Sequence, residues 1–463
     1  MANIWFWRYK RDKDDKKITK FFPLFAIFLI CVCSDNKTKN EESIKIGAVV
    51  PLTGVDSAWG EVVANTLLYA EKEINSEGGV LGKKLEISIC DYGEDPDAAR
   101  SCVERFVSKG IRFVIGPDGS EALLSGICGW GENPALAEQK KCSFIVENQV
   151  LIVATWPTSP IISDIEDDGL IFRVCPSDRF QASVLAEHVL SQGITKASVI
   201  YRDDWDGREF AKIFKNFFEN PPEGLTKGVV LSFVPYPPDK TEGFSQEVEA
   251  LYKNGEPEGI FLYTFNDDGI NFLVDLRTFL KRLSKPYPKL YGCDCNLYPD
   301  LTGGPASDIV KDNMDWTSIS PPEDDPDYIM FKQRYESAGY KELDFLNYDA
   351  VYVIVSAIES AGEYDVRKVK EKIFEVTSGG EVVKPISAGG SWKTIKEKIS
   401  KGVDIDYKGV SGDVDFLPNG DIKSSTYGIY RAKGQDRKPS DFLEIGIVKV
   451  EQEGETVKIE RIK

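Results

Sequence analysis

The strongest constraint on the fold is a regular alternation of short β-rich runs with amphipathic helical segments. After the first run, Val63, Leu67, Ala70 and Ile74 recur every three or four residues, which predicts one buried helix face. Parallel strands need crossover connections, which are usually helices. The alternation of strands and helices therefore predicts a parallel sheet with helices on both faces. The β-rich runs of this first unit are 44–52, 84–90, 113–116 and 150–155.

The same pattern restarts near residue 197, which predicts a second doubly wound unit. Helices are predicted later in the chain, and a strand-rich tail ends it. The β-rich runs of the second unit are 197–201, 229–234, 259–264 and 289–294, and the later helices are 326–338, 347–361 and 365–374.

The first 43 residues are not expected to belong to this fold. Basic residues from Arg8 to Lys20 precede an apolar run over 21–33, which is shorter than the roughly 20 residues that a membrane span needs. This pattern predicts an export signal over 1–33 and a polar tether over 34–43. Cys33 resembles the cysteine of a bacterial lipoprotein signal and is a candidate lipidation site, with a plain cleaved signal or an uncleaved anchor as alternatives.

Charge and histidine content exclude several classes of protein. The chain has 57 Lys and Arg against 75 Asp and Glu, for a net charge of −18, which disfavours nucleic acid as a partner. The single histidine, His188, leaves little room for Ser-His-Asp or Cys-His catalysis or for a zinc enzyme. We expect His188 to be a surface or helix–sheet packing residue.

The cysteines suggest disulfides, because an exported chain can oxidise them. Cys128 and Cys142 flank a loop-like stretch and form the first candidate pair, and Cys90 with Cys102 form the second. Cys293-Asp294-Cys295 lacks the spacing of a zinc site. The number of cysteines after Cys33 is odd, so at least one of them is expected outside these pairs.

Several motifs in chain order resemble the type I periplasmic binding proteins of ABC importers, specifically the Leu/Ile/Val-binding family. The resemblance covers about 44–432 and implies an α/β fold of two Rossmann-like lobes with doubly wound parallel sheets, joined by three crossovers. It implies lobe 1 over 44–177 and 320–427 and lobe 2 over 178–319 and 428–463. The motifs are IKIGAVVPLTG, AEKEINSEGGVLGKKLEI, DYGEDPDAA, GIRFVIGP, FRVCPSD, YDAVYVIVSAIESAG and GVSGDVDFLPNGD.

The resemblance also implies a site for an amino-acid zwitterion between the lobes. Ser120 and Thr158 match the hydroxyls that hold the α-carboxylate, and the Trp156 carbonyl matches an acceptor for the ammonium. Asp294 matches the acidic residue that neutralises the ammonium, which a buried cation requires. Open α/β sheets bind ligands at these strand ends. The alternative for each residue alone is a helix cap or a loop carboxylate, but the set at family spacing favours a binding site.

Three aromatic residues match positions beside the ligand side chain in that family: Trp59, Phe265 and Trp205. The register around Trp205 departs from the family by one residue, and surface packing is the alternative for Trp59. An aromatic wall suits a branched-chain or other apolar amino acid. The stretch Gly126–Lys141 is longer than the family loop and is expected to reshape the cleft rim.

The implied mechanism is binding by hinge closure, without chemistry or cofactor. The closed form would dock on a membrane permease, and the ATPase would be a separate chain, since no GxxxxGK[ST] motif occurs. The expected location is the periplasm or the outer face of the cytoplasmic membrane. An amide- or urea-binding protein and a ligand sensor of the same fold are the alternatives. An enzyme is disfavoured, because carboxylate pairs such as Asp267-Asp268 lie in acidic loops.

Overall fold

The computed structural model describes residues 43–54, 56–93, 95–321, 324–385, 391–454 and 456–463. The expected export signal over 1–33, all of the tether except Ser43, and Cys33 lie outside these residues. Within the described part of the chain, no helix is long and apolar enough to cross a membrane.

Five parallel strands form the first sheet, in the order β2-β1-β3-β4-β5. Every residue of the three strands β3, β4 and β5 is buried, as expected for a sheet covered on both faces. The sequence analysis missed β5, because a strand of three residues is too short to show a periodicity. The strands are β1 (Ile44–Val50), β2 (Leu85–Asp91), β3 (Phe113–Ile115), β4 (Leu151–Ala154) and β5 (Ile171–Arg173).

Eight strands form the second sheet, in the order β15-β14-β13-β10-β9-β8-β6-β7. Strands β6 to β10 run parallel, whereas β13, β14 and β15 add an antiparallel extension. The sheet is therefore mixed rather than purely parallel. Its strands are β6 (Lys196–Arg202), β7 (Val229–Tyr236), β8 (Gly259–Tyr263), β9 (Lys289–Gly292), β10 (Met314–Ile319), β13 (Ser424–Ala432), β14 (Phe442–Glu453) and β15 (Thr456–Arg461), while β11 (Glu381–Val383) and β12 (Ile405–Tyr407) pair separately.

Helices cover both sheets, so the fold predicted from the sequence, two doubly wound α/β lobes, is confirmed. The helix α12 is buried from Phe345 to Ile358 and forms the centre of the first lobe. The helices are α1 (Ser57–Ser76), α2 (Pro96–Ser108), α3 (Pro134–Glu138), α4 (Ser143–Asn148), α5 (Asp178–Ser191), α6 (Trp205–Glu219), α7 (Ser245–Leu251), α8 (Asn266–Arg282), α9 (Pro299–Gly303), α10 (Ser307–Val310), α11 (Pro326–Ser337), α12 (Phe345–Ala361), α13 (Val366–Val376) and α14 (Trp392–Ser400).

The helix α5 follows the first lobe in sequence but packs on the second sheet. His188 on this helix is buried, and its Nε2 lies 2.8 Å from Oδ2 of Asp315 in β10. Arg461 in β15 donates from Nη2 to Oε2 of Glu187, at 2.7 Å. These two contacts, one to β10 and one to β15, join α5 to the second lobe.

The chain passes between the sheets three times: after β5, after β10 and before β13. The third passage precedes Ser424, where β13 begins, so the lobe boundary expected after residue 427 falls inside this strand. The register of β13 with β10 pairs Tyr427 with Ile319.

Three disulfides lie in the described residues. Cys90–Cys102 links β2 to α2, and Cys128–Cys142 closes the long loop after β3, as the sequence had suggested for both pairs. A third bond, Cys293–Cys295, immediately follows β9. The sequence analysis gave this pair no role, since a spacing of two residues matched no expected pattern.

Candidate ligand-binding site

The carboxyl ends of the strands of both sheets meet at the interface of the two lobes. Ser120 follows β3 and Thr158 follows β4 on the first lobe. Trp205 follows β6 and Asp294 follows β9 on the second lobe. This is the edge at which open α/β sheets place their ligand sites.

The two hydroxyl segments of the first lobe lie side by side. Ser120 is buried, and its Oγ accepts a hydrogen bond from the backbone N–H of Ser159 at 3.2 Å. Thr158 donates from Oγ1 to Oδ2 of Asp178 at 2.9 Å. The structure therefore brings Ser120 and Thr158 to one place, but the Thr158 hydroxyl contacts a protein carboxylate.

Asp178 lies next to the residue that caps α5. Ser177 is the N-cap, with its side chain accepting from the backbone N–H of Arg179. Asp178 is the first helical residue and is buried. The serine hydroxyl takes the capping role, which leaves the carboxylate of Asp178 directed at Thr158.

Trp59 and Trp156 form an edge-to-face pair, with ring centroids 5.6 Å apart. Both are buried. The indole Nε1 of Trp156 donates to Oδ2 of Asp344 at 2.8 Å, which directs this side chain into the first lobe. The role of the Trp156 carbonyl as an ammonium acceptor stays a prediction.

Trp205 is the first residue of α6 and contacts the opposite lobe. Its Nε1 donates to Oγ of Ser125 at 3.3 Å, and its ring lies 5.5 Å from that of Trp130. Trp130 belongs to the loop closed by the Cys128–Cys142 disulfide. The long loop thus supplies an aromatic residue to the cleft rim, and the two lobes are in contact there.

Phe265, the third aromatic residue of the predicted wall, lies immediately before α8 on the second lobe. The guanidinium of Arg202 lies 3.8 Å from its ring centroid, which is a cation–π contact. Arg202 also pairs with Asp204. Phe265 is therefore partly covered by this arginine.

Asp206, the second residue of α6, is the site residue that the sequence analysis missed. Asp204 caps the helix by accepting from the backbone N–H of Gly207 at 2.8 Å. Asp206 faces the hydroxyls of Ser120 and Ser159 across the cleft, and its Oδ1 is buried without a hydrogen-bond partner among the described residues. The departure from the family register around Trp205 was the signal that could have found it.

Burial and neighbouring negative charge raise the pKa values of two of these carboxyl groups. Burial, together with the charge of Asp204, raises the pKa of Asp206 to about 7. Burial raises the pKa of Asp178 well above its usual range, and the charges of Asp294 and Asp206 raise it further. Asp178, Asp206 and Asp294, which we call the cleft carboxylates, are therefore close enough to interact electrostatically.

The arginines closest to the cleft carboxylates already have carboxylate partners. Arg173 is fully buried and donates from Nε to Oδ1 of Asp421 at 2.5 Å. Arg202 is paired with Asp204. Among the described residues, no group of three or more His, Cys, Asp or Glu side chains could hold a metal ion. The charge of Arg173 lowers the pKa of Asp178 and that of Arg202 lowers the pKa of Asp206, but in both carboxyl groups burial has the larger effect.

A family model described as periplasmic binding protein matches residues 43–435. The Leu/Ile/Val-binding protein BraC3 of Rhizobium johnstonii is 32% identical over 224 residues, which cover 47% of this chain and 56% of that protein. The Leu/Ile/Val-binding protein homolog 1 of Brucella suis is 24% identical over 85% of this chain and 92% of its own length. The match to BraC3 thus spans little more than half of that relative.

Solved structures show the same fold. The substrate-binding protein LivJ from Streptococcus pneumoniae, in complex with isoleucine, superposes with a TM-score of 0.62 at 16% identity, covering 91% of this chain and all of that one. The leucine-binding protein LivK from Thermotoga maritima gives a TM-score of 0.58 at 20% identity, covering 90% and 97%. At these identities the likeness is one of fold.

Proposed function

The chain belongs to the periplasmic binding protein family, and from this premise we propose that it is the extracytoplasmic binding component of an ABC importer for an amino acid. The ligand binds between the lobes, and hinge closure encloses it. The closed form then docks on a membrane permease whose ATPase is a separate chain. The family binds and delivers its ligands, so no catalytic step and no cofactor enter the proposal.

The observation that carries this proposal is the complementary chemistry of the two lobes at one cleft. The first lobe carries the hydroxyls of Ser120 and Thr158, which would exchange their bonds to Asp206 and Asp178 for bonds to an α-carboxylate. The second lobe offers Asp294 to an α-ammonium. A charge-assisted hydrogen bond at each end would fix the orientation of a zwitterion, and bridging the lobes would favour the closed state over the open one.

The class of amino acid is a finer question. The sequence predicted a branched-chain or other apolar side chain, and the names of the relatives agree with that prediction. Asp178 and Asp206 add two carboxyl groups beside Asp294, and their raised pKa values allow them to be protonated and neutral around a neutral side chain. The proposal at this level is therefore an amino acid, without a choice between neutral and charged side chains.

Export also forms part of this proposal. The signal over 1–33 would direct the chain across the cytoplasmic membrane, and Cys33 would anchor it by a lipid. The disulfides are compatible with an oxidising compartment. Mass spectrometry of the mature N-terminus would test both steps, because an N-terminal diacylglyceryl cysteine at position 33 has a mass unlike that of a plain cleavage product.

Thermal unfolding of the full chain, freed of co-purified ligand by unfolding and refolding, tests the binding function. A ligand at 100 times its Kd stabilises the folded state by about 2.7 kcal/mol, which raises the Tm by a few degrees. We expect such a rise with at least one amino acid and its loss in Asp294→Ala. A rise with neutral amides or urea alone would replace the amino acid by an amide ligand. No rise with any of these compounds would refute the proposal.

A further inference from the structure

Arg173, the last residue of β5, has a fully buried side chain whose hydrogen-bond partners lie on both sides of Thr158. Its Nη1 donates to the carbonyl oxygen of Pro157 at 3.2 Å and to that of Ser159 at 2.9 Å. The carbonyl of Thr158 itself accepts the backbone N–H of Asp178 at 2.9 Å. Three successive carbonyl groups are therefore held, which fixes the backbone that carries the Thr158 hydroxyl.

The same guanidinium contacts the third passage of the chain between the sheets, just before β13. Arg173 donates from Nε to Oδ1 of Asp421, and its backbone N–H donates to the carbonyl of Gly420 at 2.9 Å. Asn419 adds a direct contact, because its Nδ2 donates to the carbonyl of Ser163 at 3.2 Å and to Oδ2 of Asp421 at 3.1 Å. The segment that follows β4 is thus tied to the third passage.

We propose, resting on the proposed function, that Arg173 is a positioning residue for the ligand. Together with Asp421 it fixes the segment 157–163 against the third passage, so that the Thr158 hydroxyl is already oriented when an α-carboxylate arrives. Because the lobes turn about the three passages, a ligand held by Thr158 is then connected to one of the passages that must bend on closure.

The first argument is the nature of the ion pair. The side chains of Arg173 and Asp421 are only 1% and 5% exposed, and replacing a buried pair of this kind by apolar residues is often neutral for stability. What an arginine adds is a planar fork of N–H donors in fixed directions. Here Nη2 donates to Oγ of Ser163 at 2.8 Å, so the fork sets the relative positions of four acceptors.

The second argument is the location of those acceptors. Pro157 and Ser159 are the two neighbours of Thr158 in the chain, and the buried thiol of Cys175 donates to the same Pro157 carbonyl at 3.3 Å. A hydroxyl on a backbone held in this way loses less conformational freedom when it binds a ligand. The contacts of Arg173 therefore act where they reduce the cost of binding.

Arg173→Lys tests the proposal on the full chain, by isothermal titration calorimetry with whichever common amino acid gives the largest rise in Tm. Lysine keeps a positive charge opposite Asp421 but has a single nitrogen, which cannot reproduce the fork. We expect the affinity to fall about 10-fold, because the segment would have to be ordered on binding.

Arg112→Lys is the matched control. Nη1 of Arg112 also donates to two backbone carbonyls, those of Val107 at 2.7 Å and Ile111 at 3.3 Å. This arginine immediately precedes β3, at the opposite edge of the sheet from the candidate site. We expect this variant to bind with the affinity of the unmodified chain.

A double-mutant cycle with Thr158→Val separates positioning from a general loss of stability. Valine has nearly the shape of threonine but no hydroxyl. In the Thr158→Val background, Arg173→Lys should lower the affinity by less than about twofold, while it lowers the Tm equally in both backgrounds. A purely structural role would lower the affinity by the same factor with or without the hydroxyl.

Unchanged affinity in Arg173→Lys, or an equal loss in both backgrounds, would overturn the positioning role and leave the importer in place. Unchanged affinity in Thr158→Val would also overturn it, since there would be no hydroxyl contact to position. Absence of binding by amino acids, amides and urea in the unmodified chain would overturn the proposed function, and this inference with it.

Asn419→Ala provides a second test that does not disturb the buried charges. Asn419 is exposed, so the variant should fold, and it removes the contacts to Ser163 and Asp421. We expect an affinity loss of about threefold, since only part of the attachment is removed, and no further loss when this change is added to Thr158→Val. Unchanged affinity in Asn419→Ala would contradict the role of the third passage.

Discussion

The two lobes contribute opposite chemistry to the same cleft. The first lobe contributes neutral hydroxyls, Ser120 and Thr158, and the second contributes the cleft carboxylates, including Asp178 on the helix α5 that packs against its sheet. Both edges have the same architecture, the carboxyl ends of parallel strands. The difference teaches that the fold provides the position of the site, whereas a few side chains at the strand ends decide which end of a ligand each lobe holds.

Removing a carboxylate from the second lobe should have the largest effect. Asp294→Ala should weaken binding of the preferred ligand by at least about 30-fold, because a buried ammonium would lose its charged partner. Isothermal titration calorimetry measures the change, and Asp267→Asn serves as the exposed control on the same lobe. A change of less than threefold would remove the assigned role of the second lobe.

Acidification should weaken the contribution of the second lobe to ligand binding without altering that of the first lobe. The pKa of Asp206 is raised to about 7, so this carboxyl is protonated below that pH, and binding of a cation must then release the proton. We expect the affinity for a ligand whose ammonium pairs with Asp206 to rise about 5-fold between pH 6 and pH 7 and to level off above pH 8. The groups that face this carboxyl are Asp178, Asp204, Arg202, Tyr263, Ser120 and Ser159.

Calorimetry in buffers of different ionisation enthalpy measures the released proton directly. Asp206→Asn should reduce the slope of affinity against pH. An unchanged slope in this variant would assign the proton to another group.

The first lobe should contribute less, and only to ligands with a carboxylate. Ser120→Ala should weaken binding of an amino acid by about 10-fold, since a hydrogen bond to a charged group is worth about 1.5–3 kcal/mol at most sites. It should weaken binding of the corresponding amino-acid amide less, because the amide has no carboxylate. Ser101→Ala, exposed on α2, is the control. Equal losses for both ligands would mean that Ser120 acts on Asp206 rather than on the ligand.

The smallest expected effect concerns the disulfide beside Asp294. The double variant Cys293→Ser with Cys295→Ser should weaken binding about two- to threefold, because the segment carrying this carboxylate would have to be ordered on binding. The matched control is Cys90→Ser with Cys102→Ser, which removes a bond between β2 and α2 in the first lobe. A larger loss in the control than in the test variant would contradict this explanation.

The sheets could be predicted because strand and helix periodicities are strong in long segments. The strands β5 and β10 were missed, since three to six buried residues show no alternation. The hydroxyl segments were found by their place after strands. Asp206 was missed because the start of α6 decides which side chain of this segment faces the cleft, and the sequence did not fix that start. Thr158 is hydrogen-bonded to Asp178 of α5, a contact that the sequence around Thr158 cannot reveal.

The attachment of α5 to β15 has a kinetic consequence. Because Arg461 and His188 hold this helix against the second sheet, its carboxylate travels with the other two whenever the lobes separate. An open molecule would present these carboxyl groups to the solvent on one wall, where they lose the burial that raises their pKa values, and once ionised they would attract the positively charged groups of a ligand. The association rate of a positively charged ligand should therefore fall as ionic strength rises.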